Sequence, residues 1–434
     1  MKKRLITLLV IAIVATGICA KRTKTTDFAK RLKTVPGITS VTKIESSRFS
    51  ERYIATFRQY IDHNDTTRGT FDQRIIIGHV NYDSVAVFVT EGYAATYTER
   101  QDYREELSDI LNANSIIIEH RYFNKSIPKI EEDGAYWDFL TTYNAATDHH
   151  RIIQAFRTIY KGKYIATGVS KGGICANLFR AYYPEDVDIT VPYVAPFCDG
   201  VEDPAMAKEI QNYGTPDERE FLTEFMRHLF SRRDEFLPRL QEYVDSLELT
   251  PRIELSELYD LSVLDLEIAV LARGEIKKLP FYEKASAEEL FNALTKYGSP
   301  EGFTPSYDNM PYYVQAAKEL GHYAYDISRF EGLTSINNTD DYLRRCALPE
   351  NQPIEYDPST REMVIKFLQN TEAKMLFIYG EYDPWTAVGI KDIVNNPNIY
   401  IMINPGNCHR SKIRNFPDEI RDKILSVLKD WLYK

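Results

Sequence analysis

No apolar run in this 434-residue chain reaches the ~20 residues that a bilayer-crossing helix needs. No stable membrane insertion is therefore expected once a leader is removed. Positive charge is also short: 53 basic residues face 63 acidic ones, a formal net charge of −10. That deficit disfavours nucleic acid and anionic lipid as partners. Cysteine is scarce, at five, and none has CxxC spacing, so zinc-ribbon and thioredoxin-like roles are excluded. No metal and no organic cofactor is expected. There is no internal repeat and no low-complexity tract, which removes solenoids and linkers from consideration. What remains is ordinary: 44% hydrophobic and 27% charged, the composition of one large domain or a domain with an insertion.

The first twenty residues have their own pattern. Met-Lys-Lys-Arg precedes an apolar stretch from Leu5 to Ala15, then small residues up to Ala20. A basic start, an apolar middle of this length and a small-residue end predict a cleaved signal peptide over 1–20. The mature chain is then expected to be exported, either periplasmic or secreted. Ile18 before Cys19 is the wrong size for lipobox processing, which leaves lipoprotein anchoring a minor reading. Without Lys2, Lys3 and Arg4 the remainder has 50 basic against 63 acidic residues, a formal −13. Such a field suits solubility and a substrate bearing an ammonium group. Cys175, Cys198, Cys346 and Cys408 remain, and four cysteines allow three disulfide connectivities.

Residues 21–68 are polar and mixed, with no clear period. Thr70–Val80 and Ser84–Val89 are strand-like on either side of Asn81-Tyr-Asp83, a hairpin signal. Ser115–Glu119 is an apolar run of the kind buried on both faces of a parallel sheet. Helical spacing follows between Trp137 and Tyr160, and Ile189–Val194 is another β-branched run. From about Gly200 to Lys366 the texture becomes helical. Thr215-Pro-Asp-Glu218 and Ser286-Ala-Glu-Glu289 are capping boxes, and Gly298 is placed to close a helix in the left-handed conformation. Strand character returns at Lys374 and Asn398, and Pro417–Leu432 is amphipathic. The expected class is α/β: a mostly parallel sheet over 21–199 and 367–434, with a large helical cap inserted over 200–366.

Three strand-like runs end in residues used for acyl transfer, in the order serine, aspartate, histidine. Gly168-Val-Ser170-Lys-Gly172 fits a strand-to-helix nucleophile elbow, where glycines on both sides permit the strained turn. Asp383 follows Met375–Tyr379 in Gly380-Glu-Tyr-Asp-Pro-Trp385. His409 follows the final strand and precedes the last helix. Ser…Asp…His is the chain order of α/β-hydrolases. The other histidines fall before the serine or inside the helical block, so only His409 has the right order. Cys408 beside it is not a nucleophile candidate, because adjacent side chains on an extended segment point opposite ways.

An oxyanion hole needs two N–H donors. The backbone N–H of Lys171 at the helix start is one, and Gly92 or Tyr93, in Thr90-Glu-Gly-Tyr93 after an early strand, is the other. Glu91 would then lie near the scissile centre, where it could hold a substrate amine or be a solvated or paired carboxylate. In Glu119-His-Arg-Tyr-Phe123, structural pairing of Glu119 with Arg121 or another partner is the first reading, and substrate binding by Glu119 and Arg121 the second.

Thr90-Glu-Gly-Tyr, Glu119-His-Arg-Tyr-Phe, Thr141-Thr-Tyr-Asn-Ala-Ala-Thr-Asp-His-His-Arg151, Thr167-Gly-Val-Ser-Lys-Gly-Gly173 and Gly380-Glu-Tyr-Asp-Pro-Trp385 together resemble the secreted tripeptidyl aminopeptidase family of mycelial bacteria. That family is related to lysosomal Pro-X carboxypeptidase and dipeptidyl peptidase II. Lys171, where the lysosomal relatives have an aromatic residue, favours the aminopeptidase branch. The resemblance implies a Ser170–Asp383–His409 triad, acidic residues near the early strand ends that hold the substrate amine, and peptide substrates. The expected function is an exported serine exopeptidase that releases di- or tripeptides from a free N-terminus. An esterase or lipase of the same fold, or a non-catalytic binding protein on the same scaffold, are the alternatives.

Overall fold

Short runs of β-branched residues form the strands, and alternate residues of each run enter opposite layers. In the computed structural model, residues 26–130, 136–305, 309–350 and 353–434 are described, so the expected leader lies outside them. The strands are β1 (Ile38–Lys43), β2 (Glu51–Tyr60), β3 (Thr70–His79), β4 (Ala86–Thr90), β5 (Asn114–Ile118), β6 (Tyr164–Val169), β7 (Ile189–Tyr193), β8 (Lys374–Gly380) and β9 (Ile399–Asn404). They make one nine-stranded sheet in the order β1-β2-β3-β5-β4-β6-β7-β8-β9. From β5 to β9 every pairing is parallel, and β1, β2 and β3 extend the sheet in antiparallel fashion. Every residue of β4, β5 and β7 is buried, as a sheet covered on both faces requires.

The helices are α1 (Asp27–Leu32), α2 (Glu106–Ile110), α3 (Thr142–Phe156), α4 (Lys171–Tyr182), α5 (Ala205–Glu209), α6 (Pro216–Ser231), α7 (Arg233–Ser246), α8 (Leu255–Arg273), α9 (Ala287–Gly298), α10 (Met310–Gln315), α11 (Tyr342–Cys346), α12 (Ser359–Asn370) and α13 (Asp418–Tyr433). On one face of the sheet, Ile152, Ile153 and Phe156 of α3 pack with Phe88, Ile116 and Ile118. On the other, Ile424, Leu428 and Leu432 of α13 pack with Ile165, Val191 and Leu376. Helices α5 to α11 lie between β7 and β8 in the chain and close a core of their own around α8. That helix is apolar on nearly all sides, as one buried among other helices should be. Val364 and Leu368 of α12 pack with Met375, Phe377 and Tyr379, so the layer covering the sheet resumes at Ser359. Among the described residues no helix is long and apolar enough to cross a membrane. Cys175, Cys198, Cys346 and Cys408 are free thiols.

Three local expectations are corrected. β3 and β4 do not form a hairpin, because β5 lies between them and pairs with both. The connecting loop is instead tied to Asn114, whose Oδ1 accepts from the N–H groups of Val80 (2.8 Å) and Asn81 (3.1 Å). Residues 21–68 contain α1, β1 and the ten-residue β2. The pattern of β2 is masked because Arg52 and Gln59 are buried with polar partners: Arg52 donates to the carbonyls of Thr98 and Arg100, and Gln59 to Gln73. Gly298 ends α9 in helical conformation, and the left-handed residue is Ser299 (φ 39°). Glycine is needed at 298 for a different reason. A Cβ there would lie 2.1 Å from the Ser262 carbonyl oxygen of α8.

Backbone cannot retreat as a flexible side chain can. Gly298→Ala should therefore cost about 1–3 kcal/mol, read as a lower urea midpoint at unchanged slope.

Candidate active site

Ser170 sits between the end of β6 and the first turn of α4, with φ 57° and ψ −123°. Such a backbone is costly for any residue with a Cβ, and close contacts hold it. The Ser170 N–H donates to the Tyr193 carbonyl at 2.9 Å. A Cβ on Gly168 would lie 2.2 Å from the Gly172 carbonyl, and one on Gly172 would lie 2.6 Å from the Thr90 carbonyl. Both glycines are therefore required by backbone contact.

Asp383 lies just past β8 and is fully buried. Its Oδ1 accepts from the Trp385 N–H at 3.1 Å, which leaves Oδ2 to meet His409 Nδ1 at 2.8 Å. The His409 ring is 20% exposed, so its far side reaches the open edge of the sheet. Its backbone N–H donates to the Ala272 carbonyl (3.1 Å) at the end of α8, so the inserted helices help to set the histidine loop. The Ser170 hydroxyl makes no hydrogen bond to His409. Such contacts commonly tighten only when substrate arrives.

The loop after β4 packs directly on the start of α4. A Cβ on Gly92 would lie 2.6 Å from the Lys171 Cβ and 2.7 Å from the Gly172 nitrogen. The sequence singled out the Lys171 side chain only as a mark of the aminopeptidase branch; here it is buried. Its Nζ donates to the Gly92 carbonyl at 2.6 Å, between the rings of Tyr93 (5.3 Å) and Phe123 (5.1 Å). Burial pulls its pKa down to about 8. A lysine bonding the preceding loop leaves no local pattern, because its partner is 79 positions away.

Glu91 borders a recess of about 460 Å³ that Val169, Tyr97 and Lys412 also line. It accepts from the Tyr97 hydroxyl at 2.5 Å. Burial pushes its carboxyl up to about 7 against the opposing effects of Tyr97 and Lys412.

Glu119 and Arg121 do not face the site, and the substrate-binding reading of both is corrected. Glu119 is fully buried and accepts from Arg74, Asn124, Ser126 and the N–H groups of Ala95 and Lys125. Its ionic partner is Arg74, which also pairs with Glu99, and not Arg121. Arg121 meets both oxygens of Asp148 at 2.7 Å and donates to the carbonyls of Tyr60, Ile61 and Phe139. Five guanidinium donors find five acceptors, so none remains for a ligand.

A sheet in this order, with a serine at a strained strand–helix turn after β6 and an Asp–His pair after β8 and β9, defines an α/β-hydrolase. The family model "PS-10 peptidase S37" matches residues 21–433. The prolyl tri/tetrapeptidyl aminopeptidase of Streptomyces mobaraensis is 30% identical over 419 residues, covering 93% of this chain and 85% of that one. Human lysosomal Pro-X carboxypeptidase is 28% identical over 144 residues, 30% of this chain and 29% of its own. Among solved structures, a proline iminopeptidase from Mycobacterium smegmatis matches at TM-score 0.40 and 12% identity, covering 90% of this chain and 98% of that one. The chain belongs to the PS-10 peptidase S37 family and is a serine peptidase.

Two outcomes follow from the charges. Arg121→Met leaves the buried Asp148 carboxylate with His63 as its remaining ion-pair partner and should cost about 3 kcal/mol of stability in denaturant unfolding. Glu91 binds its proton more tightly folded than unfolded, so its contribution falls as pH rises from 4.5 to about 7. Glu91→Gln should flatten the decline in melting temperature across that window; an unchanged slope would show that Glu91 does not titrate there.

Proposed function

We propose that Ser170, His409 and Asp383 form the catalytic triad of an exported exopeptidase that removes di- or tripeptides from a free N-terminus. The observation that carries this reading is the pairing of a strained Ser170 turn with the 2.8 Å His409–Asp383 contact at the same sheet edge. His409 Nε2 takes the proton as the Ser170 hydroxyl attacks a peptide carbonyl. Asp383 holds Nδ1–H and stabilises the imidazolium. The Lys171 N–H, with that of Gly92 or Tyr93, receives the oxyanion. His409 then protonates the departing amine, leaving an acyl-enzyme, and activates the water that hydrolyses it. The buried Lys171 ammonium keeps the Gly92 loop in place for this step.

The helices between β7 and β8 act as a cap that admits chain ends and excludes folded proteins. The name of the Streptomyces relative supports cleavage after proline and, of the two lengths proposed, release of three residues. Export rests on the pattern of residues 1–20.

A fluorophosphonate should label Ser170, and Ser170→Ala should abolish the labelling. Asp383→Asn should lower kcat by about 10⁴. Mass spectrometry of a digested peptide library should show short N-terminal fragments, and none from N-acetylated peptides. Rapid acyl-ester hydrolysis without peptide turnover would refute the peptidase assignment to these residues.

A further inference from the structure

Against the loop after β4 lies a buried cation with no anion beside it. Lys171 Nζ makes one hydrogen bond, to the Gly92 carbonyl at 2.6 Å, and no ion pair with a described residue. The rings of Tyr93 (5.3 Å) and Phe123 (5.1 Å) flank it. Its titratable neighbours carry no compensating charge. Burial pushes the Cys175 thiol up, one turn along α4. Burial also pulls His120 and His149 down, with the Lys171 charge acting in the same direction. Arg121 is saturated by Asp148 and carbonyls, and Glu91 is bonded to Tyr97 at its own recess. His120 packs on the same Phe123 ring, and its Nδ1–H donates to the Arg121 carbonyl. Its Nε2 is left as a buried lone pair without a donor, a group that favours a protonated lysine nearby. An unpaired ammonium is a costly means of holding one carbonyl, because a neutral amide would hold it too.

The direction of that carbonyl has a consequence for the next residue. Every described peptide bond is trans, so one residue's C=O and the following N–H point opposite ways. The Gly92 carbonyl points at Lys171 Nζ, and the Tyr93 N–H therefore points away from the buried lysine. That N–H donates to no described residue, and neither does the Lys171 N–H at the start of α4. The Gly92 N–H is placed differently. Gly92 is buried, and a Cβ on Gly172 would lie 3.4 Å from its nitrogen, whereas Tyr93 is half-buried. The Tyr93 carbonyl accepts from the His120 N–H at 3.2 Å, which holds the next peptide as well.

We propose that the Lys171 ammonium acts on the reaction through the Gly92–Tyr93 peptide, aiming the Tyr93 N–H at the oxyanion and strengthening it as a donor by polarising the Gly92 carbonyl. The assignment rests on the triad reading, and of the two candidates for the second oxyanion donor it selects Tyr93. The Lys171 side chain is a positioning residue that touches no substrate. Negative charge appears at the N–H end of this amide only as Ser170 bonds to the substrate carbon. A cation at the other end therefore favours the transition state over bound substrate.

Steady-state kinetics on Ala-Ala-Pro-p-nitroanilide test the proposal. Lys171→Met keeps the length and the apolar packing and removes the charge and the bond. It should lower kcat about 10²-fold, as loss of one oxyanion donor does, with KM little changed. Burial pulls Lys171 down to about 8, so wild-type kcat should decline as pH rises through about 8 and the ammonium loses its proton. The variant should lack that decline, which a merely structural contact would not produce. A crystal structure of the wild type with a phosphonate on Ser170 gives a readout that needs no variant to fold. The phosphonyl oxygen should lie about 3 Å from the nitrogens of Tyr93 and Lys171. A folded Lys171→Met variant with wild-type kcat, a decline at the same pH that persists in it, or a phosphonyl oxygen bonded by the Gly92 N–H in place of Tyr93 would overturn it. Failure of wild-type Ser170 to react with the phosphonate would count against the triad itself, and with it this assignment.

Discussion

Three stretches of backbone meet with no side chain between them at Ser170, and the rest of the site depends on that contact. The start of α4, the end of β6 and the loop after β4 approach so closely that Gly168, Gly172 and Gly92 have no room for a Cβ. A serine at φ 57° is unfavourable by ~1–3 kcal/mol. The buried sheet around it offsets that cost through ladder hydrogen bonds and apolar packing on both faces. The same contact holds the Gly92 loop against the first turn of α4. Lys171 adds a bond to the Gly92 carbonyl, so the residue after Ser170 meets the loop with both its main chain and its side chain.

Charge is distributed by a consistent rule. Carboxylates that hold loops in place, such as Glu119 and Asp148, are surrounded by donors and matched to arginine. Carboxylates that border open recesses, Asp265 and Glu91, have fewer donors, and burial shifts them toward neutrality. The first kind is held by charged donors; the second accepts only from tyrosine hydroxyls. The inserted helices belong to the site as much as the sheet does. They supply the Ala272 carbonyl that anchors the His409 loop and Glu275, which pairs with Arg410 next to it.

Much of the sheet was readable because strand burial leaves a local trace. β5, β6, β7 and β8 are short apolar runs bounded by turns, and the capping boxes at Thr215 and Ser286 are present as expected. β2 was not readable, because Arg52 is buried against carbonyls of a distant loop and Gln59 against Gln73 of the neighbouring β3, and both break the apolar alternation. The supposed hairpin failed for a related reason. Two adjacent strands and a turn-prone loop are compatible with pairing, but a third strand that buries both faces between them is more favourable. Gly298 looked like a helix stop, and the packing of α8 on α9 gave it another role.

The chain alone determined which chemistry was possible and in what order its groups would come. The nucleophile, acid and base candidates follow strands, and strand ends are set by local patterning of apolar, glycine and proline residues. Only the tertiary structure decided which charges are free. Arg121 and Glu119 are saturated by partners from 5 to 61 positions away, whereas the Lys171 ammonium meets a single carbonyl 79 positions back. Hydrogen-bond satisfaction depends on what folding brings within about 3 Å, and no spacing along the chain encodes that.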